Sequence, residues 1–223
     1  MIDQIELLML EHFRHIPFHN LSLLYGEPCE NKILGGTCSD KTLAFLADVR
    51  DRGVDAHLHT AYIGGTEIHR LVRVQINARS FYADIGNGWP ALKLFPMDEE
   101  ISFECFGMKY RTEITNGWVR VFHEKQGMES PQMSINNTKR SETEILEQIR
   151  SRYTSGINYP FSNSLRFSLI VGNEFLFLRG NRLERYSDSG FSVQELNEQG
   201  IPHIIQKEFG FDVSFYFEEH AAG

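Results

Sequence analysis

A chain of 223 residues with 41% hydrophobic and 23% charged residues, 18 glycines and 7 prolines has the composition of an ordinary globular protein able to bury a sizeable core. Collagen-like, disordered and coiled-coil classes are excluded. Its 22 Lys and Arg against 30 Asp and Glu give a net charge of -8, which argues against broad binding to nucleic acid or an anionic membrane but leaves room for a local basic pocket holding one small anion.

Ile5, Leu8, Met9, His12 and Phe13 recur at helical spacing and predict a short amphipathic helix that stops before Pro17. Residues 16–34 read as ordered loop. A second helix is expected from Cys38, carried by Leu43, Phe45, Leu46 and Val49 and closed by Gly53, with Thr37 as N-cap and Asp40 as the reciprocal acid. The period then changes to two: Val54, Ala56, Leu58, Thr60 and Tyr62 alternate, as do Ile68, Arg70, Val72, Val74 and Ile76, so two strands follow. Residues 81–85 form a third strand beyond a polar turn at 77–80, and residues 108–114 and 118–122 form a hairpin turning at Asn116 and Gly117.

Residues 128–141, which bring Pro, Asn and Ser together just after Gly127, are the best linker candidate. A helix is expected after the capping box of Ser141 and Glu144, through Ile145, Ile149 and Tyr153. Residues 173–186 read as a strand pair turning at Gly180 and Asn181. Ser192 and Glu195 repeat the capping-box spacing ahead of a broken helix that restarts at Pro202 and stops at Gly210. The aromatic tail of Phe209, Phe211, Phe215, Tyr216 and Phe217 is expected to pack as lid or core. This order predicts an α+β chain with a mainly antiparallel central sheet.

Three cysteines, Cys29, Cys38 and Cys105, make an odd count without a CxxC pair. A reducing, cytoplasmic setting is expected. Asp3 and Glu6 stand where a signal peptide carries Lys or Arg, and the apolar runs at 7–10 and 175–178 fall far short of the ~20 residues of a membrane helix.

Cys38 follows two glycines and Thr37 and opens a helix, whose exposed N–H groups and dipole favour a thiolate. The glycines allow close backbone approach to a substrate, and N–H groups there are candidates for holding an oxyanion. A thiol nucleophile needs an imidazole and an orienting carboxylate, and His69 and Asp84 have the right chemistry; a buried structural thiol, a sheet histidine and a turn aspartate are the bland alternatives. A plain hairpin centred on 77–80 pairs Arg73 with Asp84, so joining His69 to Asp84 requires a bulge or a longer stagger.

Residues 35–42 also approximate a phosphate-binding loop, but Asp40 stands in place of its second glycine. His57, His59 and His69 invite a metal reading, for which solvated strand histidines are the better account. Cys29 and Cys105 lack an adjacent base and are assigned to packing.

In order along the chain, Ile16-Pro17-Phe18-His19-Asn20, Gly35-Gly36-Thr37-Cys38, Ile68-His69-Arg70-Leu71 and Asp84-Ile85-Gly86-Asn87-Gly88 resemble the signature segments of the arylamine N-acetyltransferase family. Pro160-Phe161-Ser162, residues 183–186 and Glu208-Phe209-Gly210 are similar to its C-terminal lid. The resemblance implies a helical segment over 1–53 carrying the nucleophile, a β-barrel over 54–127 and an α/β lid over 128–223, around a core of cysteine-protease or transglutaminase type. It implies Cys38, His69 and Asp84 as catalytic triad, with Phe18, Gly36, Thr37, Gly86, Asn87 and Gly88 at the substrate.

It further implies a two-step transfer in which Cys38 takes an acetyl group from acetyl-coenzyme A (acetyl-CoA) as a thioester and passes it to an amine or hydroxyl acceptor. Small molecules are then the partners, with no metal, nucleic acid or membrane. The family has Glu at His19, Arg at Leu34, Glu at Asp40, Asn at Thr42 and Phe at Asn87, so arylamine preference does not follow automatically. A thiol hydrolase on the same core and a non-catalytic ligand-binding relative are the competing readings.

Overall fold

A computed structural model describes residues 1–26, 33–152, 154, 156 and 159–218. Cys29 and Tyr153 lie outside the described residues. Helix α1 (Ile2–His15) buries Ile5, Leu8, Met9, His12 and Phe13, the stripe that its periodicity predicts. Helix α3 (Cys38–Asp51) starts at the Thr37 cap, where the Thr37 N–H donates to Asp40 Oδ2 at 3.0 Å, a closure worth about 1 kcal/mol in typical helices.

Between them the expected loop contains two elements, β1 (Phe18–His19) and the short helix α2 (Leu21–Tyr25). Neither is long enough to show a period, so sequence spacing misses both.

Strands β2 (Asp55–Ile63), β3 (Thr66–Ile76), β4 (Arg79–Ala83), β5 (Phe95–Pro96), β6 (Ser102–Cys105), β7 (Met108–Thr115), β8 (Trp118–Lys125) and β9 (Met128–Asn136) form one eight-stranded sheet, ordered β5-β4-β3-β2-β9-β8-β7-β6. All its pairings are antiparallel. The linker expected at 128–141 is therefore corrected: most of it is β9, because Gln132, Met133 and Ile135 have a core to bury. Residues 128–136 thus pair with the central strands rather than with the C-terminal part.

Helix α4 (Glu142–Arg150) follows the Ser141 cap. A second antiparallel sheet, β1-β10-β11-β12-β13, comprises β1 with β10 (Arg166–Val171), β11 (Glu174–Arg179), β12 (Arg182–Ser187) and β13 (Gly190–Glu195). Residues 192–195, expected to cap a helix, are part of β13, an exposed strand. Their spacing matches a capping box, yet ladder pairing with Leu183, Glu184 and Arg185 wins. Helix α5 (Ile201–Ile204) carries Pro202 near its start and continues as a wider turn over Ile205–Phe209 to a left-handed Gly210, φ 83°, and α6 (Ser214–Glu218) follows.

The central strand β11 of the second sheet is buried on both faces, which explains the unbroken apolar run at 175–178. Phe175, Phe177 and Tyr186 join the main core of α1, α3 and the large sheet, while Leu176, Leu178 and Leu183 pack against Ile201, Ile205, Phe209 and Tyr216. The mixed α+β architecture matches the sequence expectation. Among the described residues no helix is long and apolar enough to cross a membrane.

Asn20, 1% exposed, ties the N-terminal segment to the C-terminal sheet. Its Nδ2 donates to the carbonyls of Phe161 and Ser164 at 2.6 and 2.9 Å, and its Oδ1 accepts from the Arg166 N–H at 2.7 Å.

Candidate active site

Cys38 is the first residue of α3, and the two glycines before it are demanded by the turn. Gly35 (φ 94°) lies where a β-carbon would stand 2.1 Å from the Pro17 carbonyl oxygen, and on Gly36 (φ 137°) it would stand 2.6 Å from Asp40 Oδ2. The Gly36 N–H donates to Pro17 O at 3.3 Å, and the Thr37 N–H is held by Asp40. Of the oxyanion donors expected here, those two are therefore occupied in shaping the turn.

His69 on β3 and Asp84 just after β4 meet at 2.7 Å, Nε2 to Oδ1, with side-chain exposures of 3% and 0%. The connection needs no bulge in this hairpin. A two-residue turn at Asn77 and Ala78 (φ 49° and 63°) sets Val72 opposite Ala83 and Ile76 opposite Arg79. Extended by one residue, that register faces Asp84 with Leu71, and His69 is the next residue on the same face. Arg73 instead pairs with Tyr82.

With Nε2 engaged by Asp84, the other ring nitrogen is left for the thiol. Burial disfavours both ions of the thiol and imidazole. Against it, the His69 hydrogen bond and charge, with the Arg70 charge and backbone N–H, bring the Cys38 pKa below its usual value. Burial likewise works against the imidazolium, but Asp84 and Cys38 raise the His69 pKa. Both shifts run in the direction of a thiolate–imidazolium pair. Cys38 Sγ also lies 3.7 Å from the Ile68 carbonyl oxygen.

The pair opens on a pocket of about 310 Å³. Phe18, Gly86, Asn87 and Gly88 line it, whereas Gly36 and Thr37 do not. Gly86 has no room for a side chain: a β-carbon would stand 2.8 Å from both Cys38 O and Thr42 Oγ1. Asn87 closes the loop, its N–H donating to Asp84 Oδ1 at 3.2 Å and its Oδ1 accepting from the Trp89 N–H at 3.3 Å.

Sequence reasoning missed the far wall, made by Trp89, His123, Lys125, Gln132, Arg166 and Arg179. His123 and Lys125 continue the inward alternation of Val119 and Val121 on β8, a signal present in the sequence but not used. Gln132 is placed by a register shift between β8 and β9, where Val121 pairs Met133 and Phe122 pairs Pro131. No residue pattern announces that bulge.

The remaining candidates resolve into structural roles. His57 contacts Asp55 and Glu142, and His59 Nε2 lies 2.8 Å from Asn136 O. Among the described residues no cluster of three His, Cys, Asp or Glu is placed to hold a metal. Lys41, the lysine of the phosphate-loop approximation, is buried behind α3, donating to the Ile16 carbonyl and lying 5.2 Å from the Phe13 ring centroid. Cys105 is half-buried, its Sγ 3.0 Å from Pro90 O, and loss of solvent around the thiol pushes its pKa up to about 12.

A model of the N-acetyltransferase family matches residues 1–217. The chain belongs to the arylamine N-acetyltransferase family. Solved structures of arylamine N-acetyltransferases share the fold. That of Nocardia farcinica superposes with a TM-score of 0.82 at 18% identity, covering 97% of this chain and 86% of that one. The Mycobacterium marinum protein in complex with CoA gives 0.80 at 14%, covering 97% and 89%, and the Salmonella typhimurium protein 0.78 at 17%, covering 96% and 85%. No curated protein matches the chain.

Within this family the chain is an N-acetyltransferase-like enzyme, and its departures from the family pattern have local answers. His19 Nε2 meets Leu34 O at 3.2 Å, where the family signatures carry Glu and Arg, so neither charge is left unpaired. Asp40 binds Arg152 at 2.8 Å besides capping α3, and Thr42 Oγ1 donates to Arg70 O at 3.0 Å.

Proposed function

We propose that the enzyme transfers an acetyl group from acetyl-CoA to an amine or hydroxylamine acceptor through a thioester on Cys38, by a ping-pong mechanism. The observation that carries this reading is the continuous chain of Cys38, His69 and Asp84 at the wall of one pocket. The structure of a family relative in complex with CoA supports the donor.

In the first step the Cys38 thiolate attacks the acetyl carbonyl. The bond to the CoA sulfur breaks, and the CoA thiolate takes the proton held by His69. In the second, the acceptor nitrogen attacks the Cys38 thioester, His69 takes a proton from that nitrogen, and Cys38 leaves as thiolate. Asp84 holds the ring in one orientation and stabilises its charged form throughout. Aromatic surface from the buried Phe18 and Phe177 and the half-buried Phe161 limits water at the thioester, favouring an amine over hydrolysis.

Initial rates measured over crossed concentrations of acetyl-CoA and an amine test the mechanism. Parallel double-reciprocal lines are expected, and intersecting lines contradict the covalent intermediate.

A further inference from the structure

A separate pocket of about 150 Å³ lies toward the other ends of β2 and β3, lined by Asp55, His57, His59, Arg73, Lys139 and Arg140. It shares no lining residue with the Cys38 pocket. His69, Leu71 and Arg73 alternate onto one face of β3, and four residues of strand set Arg73 ~13 Å from His69. His57 stands directly opposite Arg73 on β2. Lys139 and Arg140 belong to the connection between β9 and α4, which the Tyr82 hydroxyl anchors to the sheet by donating to Asn137 Oδ1 at 3.2 Å.

The cations of this pocket are poorly neutralised. Arg73 donates to the Ser80 hydroxyl at 3.1 Å and meets no carboxylate among the described residues. Lys139 has no hydrogen-bond or ion-pair partner among them. Arg140 Nη1 lies 3.3 Å from Glu67 Oε1, an oxygen that already accepts from the Thr60 hydroxyl, and Arg140 Nε is buried without a partner. Asp55 is the acid of the lining, and it is engaged by His57 Nε2 at 3.0 Å, while His57 Nδ1 lies 3.5 Å from Glu142. Three cations thus face one acid, and counting Glu67 still leaves an excess of positive charge, on a chain whose net charge is -8.

His59, 2% exposed, lines the same pocket, with Nε2 at Asn136 O and its ring stacked on Tyr82. Burial, and after it the charges of Arg73 and Arg140, push its pKa down to about 4, so the ring is neutral and the local field is positive. A buried N–H without an acceptor is a cost that a bound oxygen removes. Guanidinium groups present forked donors that fit the oxygens of phosphate. The volume of about 150 Å³ falls below the ~300–1,000 Å³ of sites for larger organic ligands, which suits one compact tetrahedral anion. The excess charge and the number of donors match a phosphate better than a carboxylate with its two oxygens and single charge.

We propose that this pocket binds a phosphate group, free or at the end of a phosphomonoester, through Arg73, Lys139 and Arg140. Bound there, the anion ties the connection between β9 and α4 to β2 and β3 and stabilises the folded chain in proportion to its occupancy.

The test is calorimetric titration with inorganic phosphate and, in parallel, phenyl phosphate, at constant ionic strength in a buffer free of other oxyanions. One saturable site is expected, with Tm rising as phosphate is added. Lys139 is exposed, so Lys139→Ala leaves the fold intact. That variant and Arg73→Gln are each expected to weaken binding about tenfold or more, while Lys125→Met, in the Cys38 pocket, leaves it unchanged. Tighter binding of phenyl phosphate assigns the site to a monoester, and tighter binding of inorganic phosphate assigns it to the free anion. The proposal is overturned if neither compound binds saturably, or if either pocket substitution leaves the affinity intact. Loss of binding in Lys125→Met also overturns it, because the phosphate would then sit beside Cys38.

Discussion

His69 and Asp84 are joined at 2.7 Å at the end of the β3 and β4 ladder, both closed off from solvent. The carboxylate raises the imidazole pKa, and through it the Cys38 thiol pKa falls. Asp84→Asn is expected to move the midpoint of Cys38 alkylation by iodoacetamide up toward the ordinary thiol value of 9.0 and to slow acetyl transfer by about 10²–10⁴-fold. Stability carries the same signature. Because the folded His69 pKa is raised, its pairing stabilises most below the ordinary histidine value of 6.5 and is lost as pH rises through the raised one. The stability gap between wild type and Asp84→Asn, measured by urea unfolding, is expected to be wide in acid and to narrow in alkali.

Gly86 stands against the start of helix α3 with no space for a methyl group, 2.8 Å from Cys38 O and 2.9 Å from Arg70 O by its missing β-carbon. Both neighbours are backbone and cannot rotate away. Gly86→Ala should cost about 1–3 kcal/mol of stability and reduce the alkylation rate of Cys38 by displacing it. Thermal unfolding and iodoacetamide labelling read the two effects.

Asn20→Ala removes three hydrogen bonds at once from a buried position. A loss of about 2–3 kcal/mol is expected, with faster hydrogen exchange at the Arg166 amide. Unchanged protection there would mean that Asn20 does not hold the C-terminal sheet against the active-site segment.

Most of the long elements were legible in the sequence because their periods were clean: the stripe of α1, the alternation of β2 and β3, and the Asn116-Gly117 turn all appear as expected. Candidate site residues were legible for another reason, since Cys38, His69 and Asp84 sit in short motifs whose glycines and turns have steric causes. What escaped was set by tertiary context. Residues 128–136 carry turn-type residues yet pair as β9, and residues 192–195 carry helix-start chemistry yet pair as β13. The hairpin register turned on whether two or four residues made the turn, and Asn77 and Ala78 in left-handed conformation made it two. The far wall of the Cys38 pocket escaped because Lys125, Gln132 and Arg179 come from three strands that converge only after folding.

Lys41 is buried, and burial pushes its pKa down to about 7. An unfolded lysine stays protonated far above that, so the unfolded state binds more protons from neutral pH upward and stability rises with pH across that range. The contribution is lost as pH falls through 7. Lys41→Met should flatten this rise, so the stability difference between wild type and variant changes in favour of the wild type as pH increases. A pH-independent difference, followed by denaturant unfolding from pH 6 to 9, would place a charged ammonium in the core.

The proposed transfer passes through a covalent acetyl group on Cys38, which intact-protein mass spectrometry after brief exposure to acetyl-CoA detects. A single acetyl adduct is expected on the wild type, absent from Cys38→Ser and discharged on adding an accepting amine. A folded wild-type protein that gains no adduct, or an adduct that persists in Cys38→Ser, would contradict it.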